Sequence, residues 1–172
     1  MTPRIRKLAL IAHIASSLGW FGAVAAFEAL AIAGLSCSST LMVRAAYLSM
    51  RWTTWIIIIP FALMSLLTGL VLALGTRWGL FRHYWIFVKF LVNAVSIIIL
   101  LFHTRLIGLV ARTAAKGNLS SGDLLGLRIH LVVISGAALV ALLVATALGV
   151  FKPRGLTPFA EPSNRHIPSP NS

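Results

Sequence analysis

The sequence predicts an all-α fold: a four-transmembrane-helix bundle running up-down-up-down, with both termini in the cytoplasm. Three observations lead there. Of 172 residues, 59% are hydrophobic and 10% charged, with a mean hydropathy of +0.94, whereas soluble domains carry about 45–50% apolar and about 25% charged residues. Four apolar runs each exceed the roughly 18 residues that cross a hydrocarbon core as a helix. Finally, the 15 Lys and Arg stand against three acids, for a net charge of +12. These cations cluster at the edges of the apolar runs, which is the pattern of topology signals and headgroup contacts, not of nucleic-acid binding.

The first run extends from Leu8 to about Leu35. Its basic head and apolar body resemble a secretory signal, but the run continues well past the usual apolar length of about 7–15 residues, so an uncleaved first span is expected. "AGLSC" is not a lipoprotein signal, because Gly34 stands where a branched or leucine-like residue is needed. Cys37 is the single cysteine, so no intrachain disulfide forms. The second run, Trp52 to Gly75, contains Pro60, which should kink its helix without ending it. The third goes from Tyr84 to about Val110 and the fourth from Ile129 to Phe151. Residues 1–151 thus form the membrane domain, with spans at about 8–35, 52–75, 84–110 and 129–151. Residues 152–172 hold five of the seven prolines and read as a disordered cytoplasmic tail, with His166 solvated in it.

With the N-terminus inside, nine Lys and Arg fall on the cytoplasmic side and six on the other, which sets the orientation. Trp52 and Trp55 lie at one interface. At the other, "TRWGLFRHYW" forms a short turn anchored by Arg77, Trp78, Arg82, Tyr84 and Trp85, with Lys89 snorkelling to the same level. Small residues at four-residue spacing, Ala15, Gly19 and Ala23 in the first run and Ala137, Ala141, Ala145 and Gly149 in the fourth, offer faces for close helix packing.

Polar residues inside the spans are the candidate functional residues: His13, Glu28, Asn93, Ser96, His103 and His130. His13 and Glu28 lie on one side of the first helix but about 22 Å apart along it, so they belong to different sites. Hairpin arithmetic puts Glu28 level with Arg44 and near Arg51, which suits an interfacial ion pair or a proton- or cation-accepting carboxylate. The same arithmetic places His13 level with Phe61 and Ile97, near Ser65, Asn93 and Ser96, as a hydrogen-bonded structural histidine or a member of a polar path. That path, through Ser65, Thr68, Asn93 and Ser96, is also what a small transporter would need. His103 and His130 fall at one depth if the last two spans turn at "KGN", and both face inward on their helices. Two imidazoles at one level can serve as axial ligands of a b-type haem or as nitrogen donors to copper, with Arg105 and Arg128 beside them for propionates. They can equally be interfacial histidines bonded to backbone or water.

Hydrolytic chemistry lacks its residues. The three acids form no pair at shared depth, and no phosphate loop, zinc-protease helix or serine elbow is present. The chain reads as a non-enzymatic scaffold, accessory subunit or oligomerising transport component. Its partners would be the lipid bilayer and a second copy or another membrane protein; the alternative is a haem- or metal-binding redox protein using the histidine pair.

"TGLVLALGTRWGLFRHYWIFVKFLVN" from Thr68, "HIASSLGWFGAVAAFEALAIAG" from His13 and "AAYLSMRWTTWIIIIP" from Ala45 resemble a family of small four-span bacterial integral membrane proteins of unknown function. The resemblance covers roughly Leu8 to Leu109 and, more loosely, the last span. It implies a location in the bacterial inner membrane and carries over no cofactor and no catalytic residue. In architecture the chain is also similar to the four-helix modules of b-type cytochromes and copper-resistance membrane proteins.

Overall fold

The computed structural model describes residues 2–75, 84–116 and 122–151 of the chain. Five α-helices and one π segment account for nearly all of them: α1 Pro3–Ser36, α2 Thr40–Thr53, the π segment Thr54–Ile58, α3 Ile59–Gly75, α4 Tyr84–Ala115 and α5 Gly122–Phe151. Four helical stretches are long and apolar enough to cross a membrane: Pro3–Ser36, Thr40–Gly75, Ile86–Ala115 and Leu124–Gly149. Their outward surface is apolar as well, with Leu8, Leu18, Leu67, Phe102, Val133 and Val140 all exposed. A water-facing surface of that kind would be a large hydrophobic patch, whereas lipid solvates it at no cost.

The helices overrun the apolar runs that mark them. α1 opens with Pro3 in its first turn, where a missing N–H costs nothing. It closes at Cys37, whose extended backbone (φ −75°, ψ 139°) ends the helix while its N–H donates to the Ala33 carbonyl at 3.0 Å. The second span begins at Thr40, twelve residues before the apolar run at Trp52. The reason is amphipathicity: Val43, Ala46, Tyr47 and Met50 are buried at helical spacing, while Arg44, Ser49, Arg51 and Trp52 are exposed. Hydropathy therefore missed α2, which packs as a helix without being apolar enough to read as a span. α5 likewise starts at Gly122, ahead of Ile129, and α4 runs on to Ala115.

Pro60 follows the π segment directly. Proline has no N–H for the carbonyl four residues back, and its ring crowds that carbonyl. The wider π register relieves this: the Ile59 N–H donates to the Thr54 carbonyl, five residues back. Thr54, fully buried, turns its hydroxyl onto the Met50 carbonyl at 2.8 Å, so the junction stays satisfied. The expected distortion at Pro60 is thus a π bulge upstream of it.

α1 packs on α2, α3 and α5, and α4 packs on α2, α3 and α5. Because lipid is as apolar as leucine, these contacts depend on close approach and cross-helix hydrogen bonds. Close approach occurs at Gly34, where an added Cβ would stand 2.8 Å from Tyr47 Cζ, and at Gly69, where it would stand 3.0 Å from His13 Cε1. Of the expected small-residue faces, Gly19 meets the Phe61 ring and Ala23 and Ala145 are buried, but Ala15 and Ala137 are exposed. Arg77, Trp78, Arg82 and the tail lie outside the described residues. Tyr84 and Trp85 open α4 as helical backbone.

Candidate functional site

A cavity of about 490 Å³ lies between α4 and α5, backed by α1 and the π segment. Trp20, Val24 and Phe27 of α1 and Ile58 of the π segment close it on the inside. Leu91, Val95 and Ile99 of α4 and Ala137 of α5 line it and are themselves exposed, so it opens between α4 and α5 onto the lipid-facing surface. Part of the expected packing stripe, Ala137 and Ala141, is what leaves this space: two methyl side chains in succession on α5 do not reach α4. Its walls are almost wholly aliphatic and aromatic. Polar atoms come from Ser96, His103, Ser135 and the Trp20 indole.

His103 and His130 meet beside this cavity. Their Nε2 atoms are 3.1 Å apart, and the rings stack with centroids 5.3 Å apart at 19°. The hydrogens follow from the partners. His103 Nδ1 lies 2.8 Å from the Ile99 carbonyl, which can only accept, so Nδ1 carries the proton. In the neutral ring Nε2 of His103 is then the acceptor, and His130 donates to it. The two rings do lie at one level, but the inward-facing reading fails for one of them: His103 lines the cavity, while His130 is exposed.

This geometry bears on what the pair can hold. Metal–imidazole bonds are about 2.0–2.1 Å, so two axial ligands stand about 4 Å apart with a macrocycle between their rings. Rings stacked and hydrogen-bonded at 3.1 Å leave no such gap, and a haem does not fit between them as they stand. Two nitrogens on one tetrahedral ion are about 3.3 Å apart, which is close to the observed separation. Among the described residues, however, no group of three or more His, Cys, Asp or Glu gathers to complete such a site.

The remaining polar residues sort into two clusters. His13 Nδ1 lies 3.0 Å from the Ser65 carbonyl and 3.2 Å from Thr68 Oγ1, and Ser17 and Ser65 share a hydroxyl bond of 2.8 Å. These bonds join α1 to α3. Asn93 is buried and Ser96 half-buried. Lys89 is half-buried with its ammonium beside Gly149, 3.1 Å from where a Cβ there would sit, so it turns to the last turn of α5.

Glu28 departs from expectation. It accepts a short hydrogen bond from Ser135 of α5 and stands against Gly136, so α1 is tied to α5 and not to Arg44 or Arg51, both exposed. The Ser135 hydroxyl also approaches the Leu131 carbonyl at 2.6 Å, and its single hydrogen serves one acceptor at a time. Sequence reasoning also missed the role of Arg128, which it placed beside the histidine pair for haem propionates. Its Nε donates to Tyr47 Oη at 2.9 Å, its Nη2 donates to the Gly34 carbonyl, and its Cζ stands 5.6 Å from the Tyr47 ring centre. A cation thus caps the C-terminal carbonyls of α1 and joins α1, α2 and α5. The visible signal was an arginine opposite a helix end flanked by a glycine.

No family model, no curated protein and no solved structure matches the chain.

Proposed function

We propose that the chain is an integral protein of the bacterial inner membrane that works by binding, holding a lipophilic molecule with a hydrogen-bonding head in the cavity between α4 and α5. In this reading the spans alternate in direction, with both termini cytoplasmic, in line with the nine-to-six cation bias. The observation that carries it is the cavity itself. At about 490 Å³ it falls within the about 300–1,000 Å³ range of small-molecule sites, and it has the usual make-up of apolar walls with few polar groups. Both nitrogens of His103 are taken by Ile99 and His130, so the head would meet the Ser96 hydroxyl or the Trp20 indole of the lining. The role is non-enzymatic: an accessory subunit, scaffold or oligomerising transport component, in contact with a second copy or another membrane protein.

The test is solvent extraction and mass spectrometry of the protein purified in mild detergent, compared with Ala141→Phe, which fills the cavity. A stoichiometric lipophile in the native chain, lost from the variant, supports the proposal. Equal, non-stoichiometric bulk lipid in both would refute it.

A second reading is a metal held by His103 and His130, favoured by the 3.1 Å approach of their Nε2 atoms. Metal analysis and oxidised and reduced absorption spectra test it. Full metal content or a haem band in the His103→Ala, His130→Ala double variant would remove the pair from that role.

A further inference from the structure

A second pocket, of about 360 Å³, opens on the other flank of α4, between α4 and the α2–π junction. Arg51 of α2 and Arg105 and Arg112 of α4 line it, with Thr104, Gly108 and the Trp55 ring. We propose that this pocket binds the phosphate-bearing headgroup of an anionic phospholipid.

Four features lead to that occupant. Arg105 and Arg112 are seven residues apart, two turns on one face of α4, so their guanidiniums bracket the pocket along the helix. Gly108 lies between them, and a Cβ added there would meet nothing within 4 Å, so the space is open and shaped by the absence of a side chain. The chain has no acid between Glu28 and Asp123, and Glu28 is engaged with Ser135. Neither α2, the π segment nor α4 therefore carries a carboxylate to neutralise the three cations. Depth then selects a lipid over a soluble anion. Arg51 is eleven residues from the start of α2 and Arg105 ten from the end of α4, each about 15 Å in from the helix ends. The second span is about 54 Å long against a hydrocarbon core of about 30 Å. That difference puts the pocket near the boundary of the core, where Trp52 and Trp55 are exposed as interfacial aromatics do. Arginine forks match phosphate oxygens bidentately, and clefts of this kind between spans suit phosphate headgroups. The π register at Thr54–Ile58 positions Trp55 on this flank while Ile58 of the same segment lines the other cavity.

The test uses the full chain in detergent, equilibrated with equal amounts of phosphatidylglycerol and phosphatidylcholine, with bound lipid counted by native mass spectrometry. The native chain should retain phosphatidylglycerol preferentially. Each of Arg51→Gln, Arg105→Gln and Arg112→Gln should weaken that retention about fivefold. Gly108→Leu, which keeps every charge and fills the pocket, should reduce it at least as much, while Arg44→Gln, an exposed arginine of α2 outside the pocket, should leave it unchanged. Equal loss with Arg44→Gln, or full retention in Gly108→Leu, would show general charge attraction and overturn the proposal. Displacement of the lipid by excess inorganic phosphate would overturn it in favour of a soluble anion.

Discussion

Replacing Arg128 by leucine should be the most damaging single change at the α1–α2–α5 junction. Two charge-assisted hydrogen bonds disappear, one to Tyr47 Oη and one to the Gly34 carbonyl. In water-soluble proteins, bonds to charged groups contribute about 1.5–3 kcal/mol each. Between membrane helices the average is about 0.6 and the maximum about 1.7 kcal/mol, because the separated helices find other partners. Tyr47 is 1% exposed, so its hydroxyl has no water to turn to, and the upper membrane value applies to both bonds. The expected loss is about 3 kcal/mol, roughly a hundredfold in the folding equilibrium. Reversible unfolding in mixed detergent micelles, followed by far-ultraviolet circular dichroism, measures it. Labelling of Cys37, half-buried just past the end of α1, reports local opening at the same place. Arg128→Lys should recover part of the loss, since one ammonium cannot reproduce the fork. Tyr47→Phe combined with Arg128→Leu should show coupling of about 1 kcal/mol or more. A loss under about 0.5 kcal/mol for Arg128→Leu, or strict additivity with Tyr47→Phe, would refute the capping argument.

Gly34→Ala places a methyl 2.8 Å from Tyr47 Cζ and should cost about 1–3 kcal/mol in the same unfolding assay, with Gly108→Ala, which meets nothing, as the neutral comparison. Ser135→Ala should cost about 1–2 kcal/mol by leaving the Glu28 carboxyl without its α5 partner, and Glu28→Ala in that background should cost less than it does alone, as a double-mutant cycle would show. Thr68→Val, which removes one of the two acceptors of His13, should cost under about 1 kcal/mol because the Ser65 carbonyl still accepts.

The spans were legible because membrane crossing is a one-dimensional constraint: a window of apolar residues suffices, and all four runs lie inside helices of the structure. Equal depth of His103 and His130 was legible for a related reason, since residue counts from a shared turn convert directly to height. Lateral position was not legible. Glu28 was read as the partner of Arg44 or Arg51 or as a proton- or cation-accepting carboxylate, whereas its partner Ser135 is on a helix distant in sequence, and depth arithmetic cannot rank neighbours. The cavity was invisible because it consists of what Ala137 and Ala141 fail to fill, and alanine spacing reads equally as a packing face. α2 was missed because an amphipathic helix at the end of a span has the composition of a loop with a few apolar residues.

The distribution of polar bonds implies which helix moves. Among the cross-helix hydrogen bonds described above, those of His13, Ser17 and Glu28 and one of the two from Arg128 involve α1, tying it to α3 and α5, while the other from Arg128 reaches Tyr47 of α2. α4 enters that set through His103, bonded to His130 on the exposed edge of α5, and its Lys89 ammonium turns to the last turn of α5. The cavity opens along the same α4–α5 seam, so the cheapest way to admit a lipophile is to part α4 from α5 while α1, α3 and α5 stay bound together. His130→Ala removes that tie without adding bulk to the cavity, which His130 does not line. A single hydrogen bond of this class is worth about 0.6–1.7 kcal/mol, so release of a cavity-bound fluorescent fatty acid should quicken about 3- to 18-fold. Hydrogen exchange should rise in α4 near His103 and not around His13 in α1. An unchanged release rate, or exchange rising equally in α1, would show that the histidine pair does not hold the seam.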